Sequence, residues 1–295
     1  MRKLCSLKHI LKYINGSEDN MKFVLIAYAN SACEFSLKRI GKQAEKLRLF
    51  DEVILWRPQD LPDYIKRSPL MQYAYGGGYW AWKPCVIWET LQRYDEDTVV
   101  CYVDAGCTLK NGVEWTLYYE LMKTHDAILF HYRDIMPSWE KFGSTSTKIK
   151  HWTKKTAIEF YDKYVQSDSW KECNKVMGGL LFFKGRNNEL VKAWLDIVLK
   201  SPEVIVDPRP EDEQYDYFAQ HKHDQPILTA LSYMFREKCI VLPELCETCG
   251  ENAAVYASRV RCATRADYYI LCCKKMLRRL LGEKLIHVIK SFYLR

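Results

Sequence analysis

The run Thr98-Val99-Val100-Cys101-Tyr102-Val103 constrains this chain more than any other segment. It is too continuously apolar to keep one face in water, and strands of that kind lie in parallel sheets covered on both sides. It stops abruptly at Asp104-Ala105-Gly106. A second such run, Phe23-Val24-Leu25-Ile26-Ala27-Tyr28, is closed by the turn residues Asn30-Ser31. A helix is expected over 34–49, with Leu37, Ile40, Ala44 and Leu47 on one face and Lys/Arg on the other. Val53-Ile54-Leu55-Trp56 then reads as another strand. This strand–helix–strand rhythm predicts a central, mostly parallel sheet with right-handed crossovers. Further helices are expected over 85–94, 154–164 and 188–199, and further strands over 127–130 and 179–183. Asp224-Gln225-Pro226 opens a last helix, with proline early, where its missing N–H does no harm. No repeat or low-complexity linker divides the chain, so one α/β domain is expected over 22–265, after a basic-then-polar lead-in at 1–21.

Composition removes some classes of function. The 295 residues are 48% hydrophobic and 27% charged, ordinary for a globular protein, so a folded chain is the expectation. Aromatics reach 14%, much of it Tyr and Trp, which suit core edges and sugar-binding clefts alike. The net charge of +7 gathers at the end of the sequence. Lys274, Lys275, Arg278, Arg279, Lys284, Lys290 and Arg295 stand there against the single acid Glu283, interleaved with apolar residues. A basic amphipathic helix over 266–295, lying on an anionic membrane surface through 268–295, is one reading of that pattern; packing onto the domain is the other. Nucleic acid is not the expected partner, because no DNA- or RNA-binding module accompanies the charge. The twelve cysteines include several inside apolar runs, and Met1-Arg2-Lys3-Leu4 does not open a secretion signal. Reduced thiols in a cytoplasmic protein are therefore expected. Cys246-Glu247-Thr248-Cys249 is a lone CxxC with no partner pair at zinc spacing.

Three blocks can carry chemistry. Asp104 stands at the carboxyl end of a central strand, where open α/β sheets bind ligands. Its carboxylate could hold Mg²⁺ or Mn²⁺, bond a ribose, or merely cap a turn; a second carboxylate two residues on, which would complete a two-carboxylate metal site, is replaced by Gly106. Gly76-Gly77-Gly78-Tyr79-Trp80-Ala81-Trp82-Lys83-Pro84 joins flexible backbone to flat aromatic faces and a point charge for phosphate. A glycine turn running into core tryptophans is the plainer account. His221-Lys222-His223-Asp224-Gln225 can supply a base, a metal ligand or hydroxyl contacts, or can simply begin a helix with an acidic residue on the favourable end of its dipole. Gly178-Gly179 before a strand would let a ligand pass close to backbone, or form a bulge. Arg259, Arg261 and Arg265 are candidates to clamp a diphosphate, or a solvated basic stretch.

Taken in order, these blocks resemble bacterial sugar transferases of the GT-A type fold found in capsule and lipopolysaccharide gene clusters. The resemblance runs over about 22–265 and rests on GGYWAWKP at 77–84, YVDAGC at 102–107 and HKHDQ at 221–225. It implies a Rossmann-like fold with a nucleotide-binding half at about 22–110 and an acceptor half at about 111–265. The implied activity moves a sugar from a nucleotide-diphosphate-sugar donor to a glycan or lipid-linked acceptor, at the inner face of the cell membrane. Carried over by position, Tyr28, Asn30, Gly77, Gly78, Tyr79, Trp82 and Lys83 would surround the nucleotide sugar, and Asp104, Ala105 and Gly106 the diphosphate. Gly178, Gly179, His221 and Gln225 would face the acceptor. Asp224, His223 and Asp104 are the catalytic candidates, with either an inverting or a retaining outcome. Mn²⁺ or Mg²⁺ at Asp104 is the candidate cofactor. The rival expectations are a sugar-nucleotide-binding protein without catalysis and a basic membrane-surface adaptor.

Overall fold

The computed structural model describes residues 21–133 and 135–277; the lead-in up to residue 20 and the basic tail beyond 277 lie outside them. Six strands form one mixed sheet: β1 Phe23–Tyr28, β2 Glu52–Trp56, β3 Val99–Val103, β5 Ala127–His131, β6 Leu180–Lys184 and β7 Cys239–Pro243, in the order β2-β1-β3-β6-β5-β7. Two short strands, β4 Thr108–Leu109 and β8 Val255–Tyr256, pair separately. The helices of eight residues or more before residue 265 are α1 Glu34–Leu47, α2 Trp82–Leu91, α3 Glu114–Leu121, α4 Lys155–Val165, α5 Glu189–Lys200 and α6 Asp224–Met234, and a further helix runs over 265–277.

Every residue of β1 and β3 is buried, as their unbroken apolar runs require. Helix α1 lays Leu37, Ile40, Gly41 and Ala44 on the sheet. Burying Leu37 and Ile40 contributes roughly 1.5–3 kcal/mol each. Gly41 is needed there, because a Cβ would stand 2.8 Å from Leu55 Cδ1. The helix ends at Arg48, in the left-handed region at φ 56°.

The sheet departs from the expected pattern in one respect that positions the site. Strands β2, β1 and β3 are parallel and β5 is parallel to β7, but β6 runs antiparallel between β3 and β5. The start of β6, with Gly178-Gly179 before it, therefore lies at the same sheet edge as the ends of β1 and β3. The chain reaches β2 and β3 on opposite sides of β1, so the β1/β3 crevice is the topological switch point where such sheets bind ligands. The N-termini of α2 and α6 come to that edge too, as their contacts with Gly178 show.

Candidate active site

Lys83, the second residue of α2, is 3% exposed at its side chain and lies between two carboxylates from distant parts of the chain. Its Nζ is 2.9 Å from Asp224 Oδ2 and 3.5 Å from Asp104 Oδ1, and it donates to the Gly178 carbonyl at 2.8 Å. Burial pushes this ammonium toward neutrality, but Asp104 and then Asp224 outweigh burial and hold it above the ordinary lysine value. Lys83 therefore stays charged and fixes both acids. Tyr102, at β3, donates its hydroxyl to Asp104 Oδ1 at 2.6 Å, and burial pushes that phenol far above its usual range. The sequence blocks did not single out Tyr102 as a site residue; its alternation with Asp104 along the strand would have placed both side chains on one face.

Gly178 is small because the ion pair fills its space: a Cβ would stand 2.5 Å from Asp224 Oδ2 and 3.0 Å from Lys83 Nζ. At Gly179 a Cβ would approach Asp104 Oδ2 to 3.3 Å, and the Gly179 carbonyl accepts from Asp104 N–H at 3.0 Å. Behind the acid, Cys107 N–H closes a turn onto Asp104 O at 2.9 Å, and Gly106 O accepts from Val260 N–H at 2.9 Å and Ser258 Oγ at 3.0 Å. Ala105, at the centre of this turn, is buried.

The glycine block forms a left-handed turn. Gly76, Gly77, Gly78, Tyr79 and Trp80 all have positive φ, at 61°, 60°, 97°, 53° and 60°. For the two aromatic residues that conformation costs about 1–2 kcal/mol each, and strain of this kind is found where binding sites demand a shape. The amides of Gly77, Gly78, Tyr79 and Trp80 donate within the turn itself, so the glycines serve backbone shape rather than free N–H groups. The turn aims its aromatics in two directions. Trp82 stacks on Tyr28 with centroids 3.9 Å apart and donates to Gly76 O at 3.0 Å. Burial raises the Tyr28 phenol to about 12. Trp80 stacks on His223 at 5.5 Å, while Tyr79 lies 4.9 Å from the same ring and donates to Asp207 Oδ2 at 3.2 Å.

His223 immediately precedes α6 in a strained backbone conformation, φ 51° and ψ −95°. Its Nδ1 lies 2.9 Å from the Ile205 carbonyl, which makes Nδ1 the protonated nitrogen, and Nε2 lies 3.7 Å from Asp207 Oδ1. Burial holds the ring below the usual histidine value, so it is a neutral imidazole with a lone pair on Nε2. His221 is differently placed. Its Nε2 reaches the Val204 carbonyl at 3.0 Å and its Nδ1 accepts from Lys154 N–H at 3.3 Å, so both nitrogens tie backbone segments together. Gln225 Oε1 is buried with no hydrogen-bond partner among the described residues. Asn30 is exposed, and its side chain accepts from Ala32 N–H at 3.2 Å to cap the turn after β1.

The arginines divide. Residues 258–260 return to the Asp104 turn, with Arg259 Cα 3.8 Å from where a Gly106 Cβ would be; the Arg259 guanidinium pairs with Glu247 at 3.0 Å. Burial and then Asp207 raise the Tyr75 phenol, and the charge of Arg261 works against them. Arg265 bonds to Tyr269, on the helix that runs over 265–277.

For a divalent cation, the described residues hold no cluster of three or more candidate ligands. Asp104 alone fits as a partial ligand. Its side chain is 42% exposed, and Oδ2 accepts no hydrogen bond among the described residues while Oδ1 is held by Tyr102 and Lys83. Mg²⁺ commonly uses one or two carboxylates, with substrate phosphates and waters completing the shell. Asp104, Asp224 and Lys83 together leave one net negative charge on the cleft floor, which favours a cation above it.

Elsewhere in the domain, Lys175 is 3% exposed and enclosed by the rings of Trp139, Trp152 and Tyr132 at 3.7, 4.4 and 5.0 Å. Burial lowers its pKa well below the usual lysine value. No motif pointed to this residue. Two surface hollows of about 260 and 510 Å³, lined respectively by residues such as Asn188 and Lys238 and by Phe160 and Tyr164, share no residue with the carboxylate pair. The eleven cysteines among the described residues are all free, and no helix among those residues is long and apolar enough to cross a membrane.

No family model matches the chain, and no curated protein matches it. Solved structures that it resembles include glycosyltransferases and A197 from STIV. One is the galactosyltransferase LgtC, solved with donor and acceptor sugar analogues, at 13% identity over 74% of this chain and 72% of that one, with a TM-score of 0.38. Another is mouse xyloside xylosyltransferase 1, at 10% identity over 75% and 85%, TM-score 0.41. A third, the glycosyltransferase GlyE of Streptococcus pneumoniae TIGR4, is 11% identical over 76% and 45%, TM-score 0.29. These likenesses are loose, and residue roles are taken from none of them.

Proposed function

We propose that this chain is a GT-A type glycosyltransferase that moves a sugar from a nucleotide-diphosphate-sugar donor to a glycan or lipid-linked acceptor in surface polysaccharide synthesis. The observation that carries this reading is the meeting of Asp104 and Asp224 across Lys83 at the β1/β3 switch point, 120 residues apart in sequence. The three sequence blocks that resemble such enzymes each contribute one of these residues.

Glycosyl transfer requires the diphosphate leaving group to be stabilised and positive charge at the sugar's anomeric carbon to be tolerated. Asp104 Oδ2 faces the cleft and would hold Mn²⁺ or Mg²⁺ together with the diphosphate; the cation supplies charge neutralisation for the leaving group. Arg261, and Arg259 if released from its pairing with Glu247, are the candidates to add to that charge. Asp224 pairs with the Lys83 ammonium at 2.9 Å and is nearly enclosed, so its side chain is fixed at the cleft floor. That suits stabilisation of an oxocarbenium-like centre, or acceptance of the acceptor hydroxyl proton. His223 Nε2, a neutral lone pair, is the other base in reach of this edge. The Tyr28–Trp82 pair and the Tyr79–Trp80 turn offer flat surfaces for base and sugar, and Gly178-Gly179 lets the backbone pack directly against both acids. Association with the inner face of the cell membrane is supported by the helix over 265–277, where Tyr269, Ile270, Met276 and Leu277 are each about half exposed beside Lys274 and Lys275.

The test is thermal stabilisation by a panel of nucleoside diphosphates and nucleotide sugars with and without Mn²⁺, followed by diphosphate release in the presence of acceptors. One nucleotide should stabilise the native state, because a ligand that binds only that state must do so, and Mn²⁺ should enlarge the shift. Binding with neither transfer nor hydrolysis would instead identify a catalytically inactive nucleotide-sugar binder. No stabilisation by any nucleotide would overturn the proposal in favour of a membrane-surface adaptor.

A further inference from the structure

Asp104 heads a turn whose centre, Gly106 O, is held by Val260 and Ser258, and the structure shows a further brace at the two carbonyls on either side of it. Arg39, on α1, lies outside the cleft on the far side of the turn. Its guanidinium donates through Nη2 to the carbonyls of Ala105, at 3.3 Å, and of Cys107, and through Nη1 to Thr108 Oγ1 at 2.9 Å. Thr108 Oγ1 is in turn 2.7 Å from Ser258 Oγ, which donates to Gly106 O. The carbonyls of Ala105, Gly106 and Cys107 are thus all held from behind, two of them by one planar fork. Only arginine presents donors in that geometry; a lysine ammonium of similar charge reaches at most one corner of it. Arg39 touches none of the residues that face a substrate, so its influence on the cleft passes through the backbone of residues 105–107.

We infer that Arg39 is a positioning residue that sets the height and direction of the Asp104 carboxylate. The inference rests on the glycosyltransferase reading for its catalytic consequence but not for its structural one. A misplacement of about 1 Å at a reacting group costs on the order of a hundredfold in rate, so the brace governs turnover more than it governs stability.

The experiment compares the wild-type chain with Arg39→Lys, and with Thr108→Val as a milder variant that removes a single contact of the same fork. Two readouts are taken: hydrogen exchange of peptides spanning 103–109 against those of β1, and kcat and acceptor KM at a saturating level of the donor found in the panel above. For Arg39→Lys, amide exchange over 103–109 should speed up by about tenfold or more with β1 unchanged. The variant's kcat should fall roughly ten- to a hundredfold with acceptor KM within about twofold, and Thr108→Val should lie between it and wild type. Unchanged exchange in the turn, or acceleration spread equally over β1, overturns the inference, as does full kcat in a variant whose turn has loosened. If the wild-type chain transfers no sugar, it is the functional reading that fails, and the exchange comparison still decides whether Arg39 braces the turn.

Discussion

Replacing Lys83 by methionine should destabilise the protein severely, and the size of the loss follows from the geometry. At an effective dielectric of about 20, charges 2.9 and 3.5 Å apart attract by about 6 and about 5 kcal/mol. Desolvating the ammonium offsets much of this, and the Asp104 side chain, 42% exposed, is partly screened by water. The pair with Asp224 is the firmer half, since both side chains are nearly enclosed. Removing one member of a buried pair costs roughly 3–5 kcal/mol, because its partner is left charged and unpaired. For a domain of this size that corresponds to a fall in Tm of roughly 6–20 °C. The variant also leaves two carboxylates facing each other, so Asp224→Asn in the Lys83→Met background should restore ~1 kcal/mol or more. The sign of the pH dependence is also set. Lys83 has a raised pKa in the folded state, so its contribution is complete below the unfolded-state value of about 10.5 and is lost only as pH rises through the folded-state value. The gap between wild type and Lys83→Met should be flat from pH 6 to about pH 9 and narrow only above about pH 10.5. Urea unfolding followed by tryptophan fluorescence and circular dichroism measures all three. A Lys83→Met protein within ~1 kcal/mol of wild type, or a double variant no more stable than the single one, would refute the buried three-residue cluster.

Other consequences can be checked alongside. Gly178→Ala should lower Tm and abolish nucleotide-dependent activity, because the new Cβ would drive into Asp224 Oδ2 and Lys83 Nζ; an Ala variant with normal turnover would show that the acids have slack the structure does not suggest. Tyr102→Phe should cost about 1 kcal/mol in unfolding free energy by deleting the bond to Asp104, and should weaken Mn²⁺-dependent stabilisation more than stabilisation by nucleotide alone, as read by thermal shift. Lys175→Met should raise Tm at pH 7. Its folded-state pKa is depressed by burial, so the unfolded chain binds more protons below about pH 10.5, and wild-type stability falls as pH drops through that window. The variant's advantage should shrink toward pH 10.5, and a lower Tm at pH 7 would mean that the aromatic cage holds a charged ammonium after all.

The sheet and the site were legible in the sequence to different depths. Continuous apolar runs and helical periodicity located β1, β3, β5, β6 and five of the six helices α1–α6 to within a few residues, because burial on both faces leaves little freedom in residue type. Strand direction is not written in such runs. The antiparallel setting of β6 between β3 and β5 is visible only in the folded chain, as is the fact that it carries Gly178 to the carboxylates. Strand β7 went unread: Cys239–Pro243 ends in proline and is only partly covered at the sheet edge, so it has neither a buried run nor a clean alternation.

The motif blocks named Lys83, Asp104 and Asp224 separately, as a phosphate contact, a metal ligand and a reacting-sugar contact. Their mutual contact changes the chemistry assigned to each. A lysine enclosed at 3% exposure and shared by two acids sets the charge state of the cleft floor before any ligand arrives, and so it cannot also swing out to meet a phosphate. On the proposed glycosyltransferase reading, the leaving group would fall instead to whatever lies above Asp104 Oδ2, with the arginines at 259 and 261 as candidates. The missing carboxylate at Gly106 bears on this point: residues 258–260 pack over that glycine, and Gly106 O is taken by Val260 and Ser258. The turn is thus built to bring one acid and a returning basic segment together where a two-carboxylate site would offer two acids. A floor of that design asks less of a metal ion and more of its arginines, and the Mn²⁺ dependence of nucleotide binding in Arg259→Gln and Arg261→Gln variants should increase as each cation is removed.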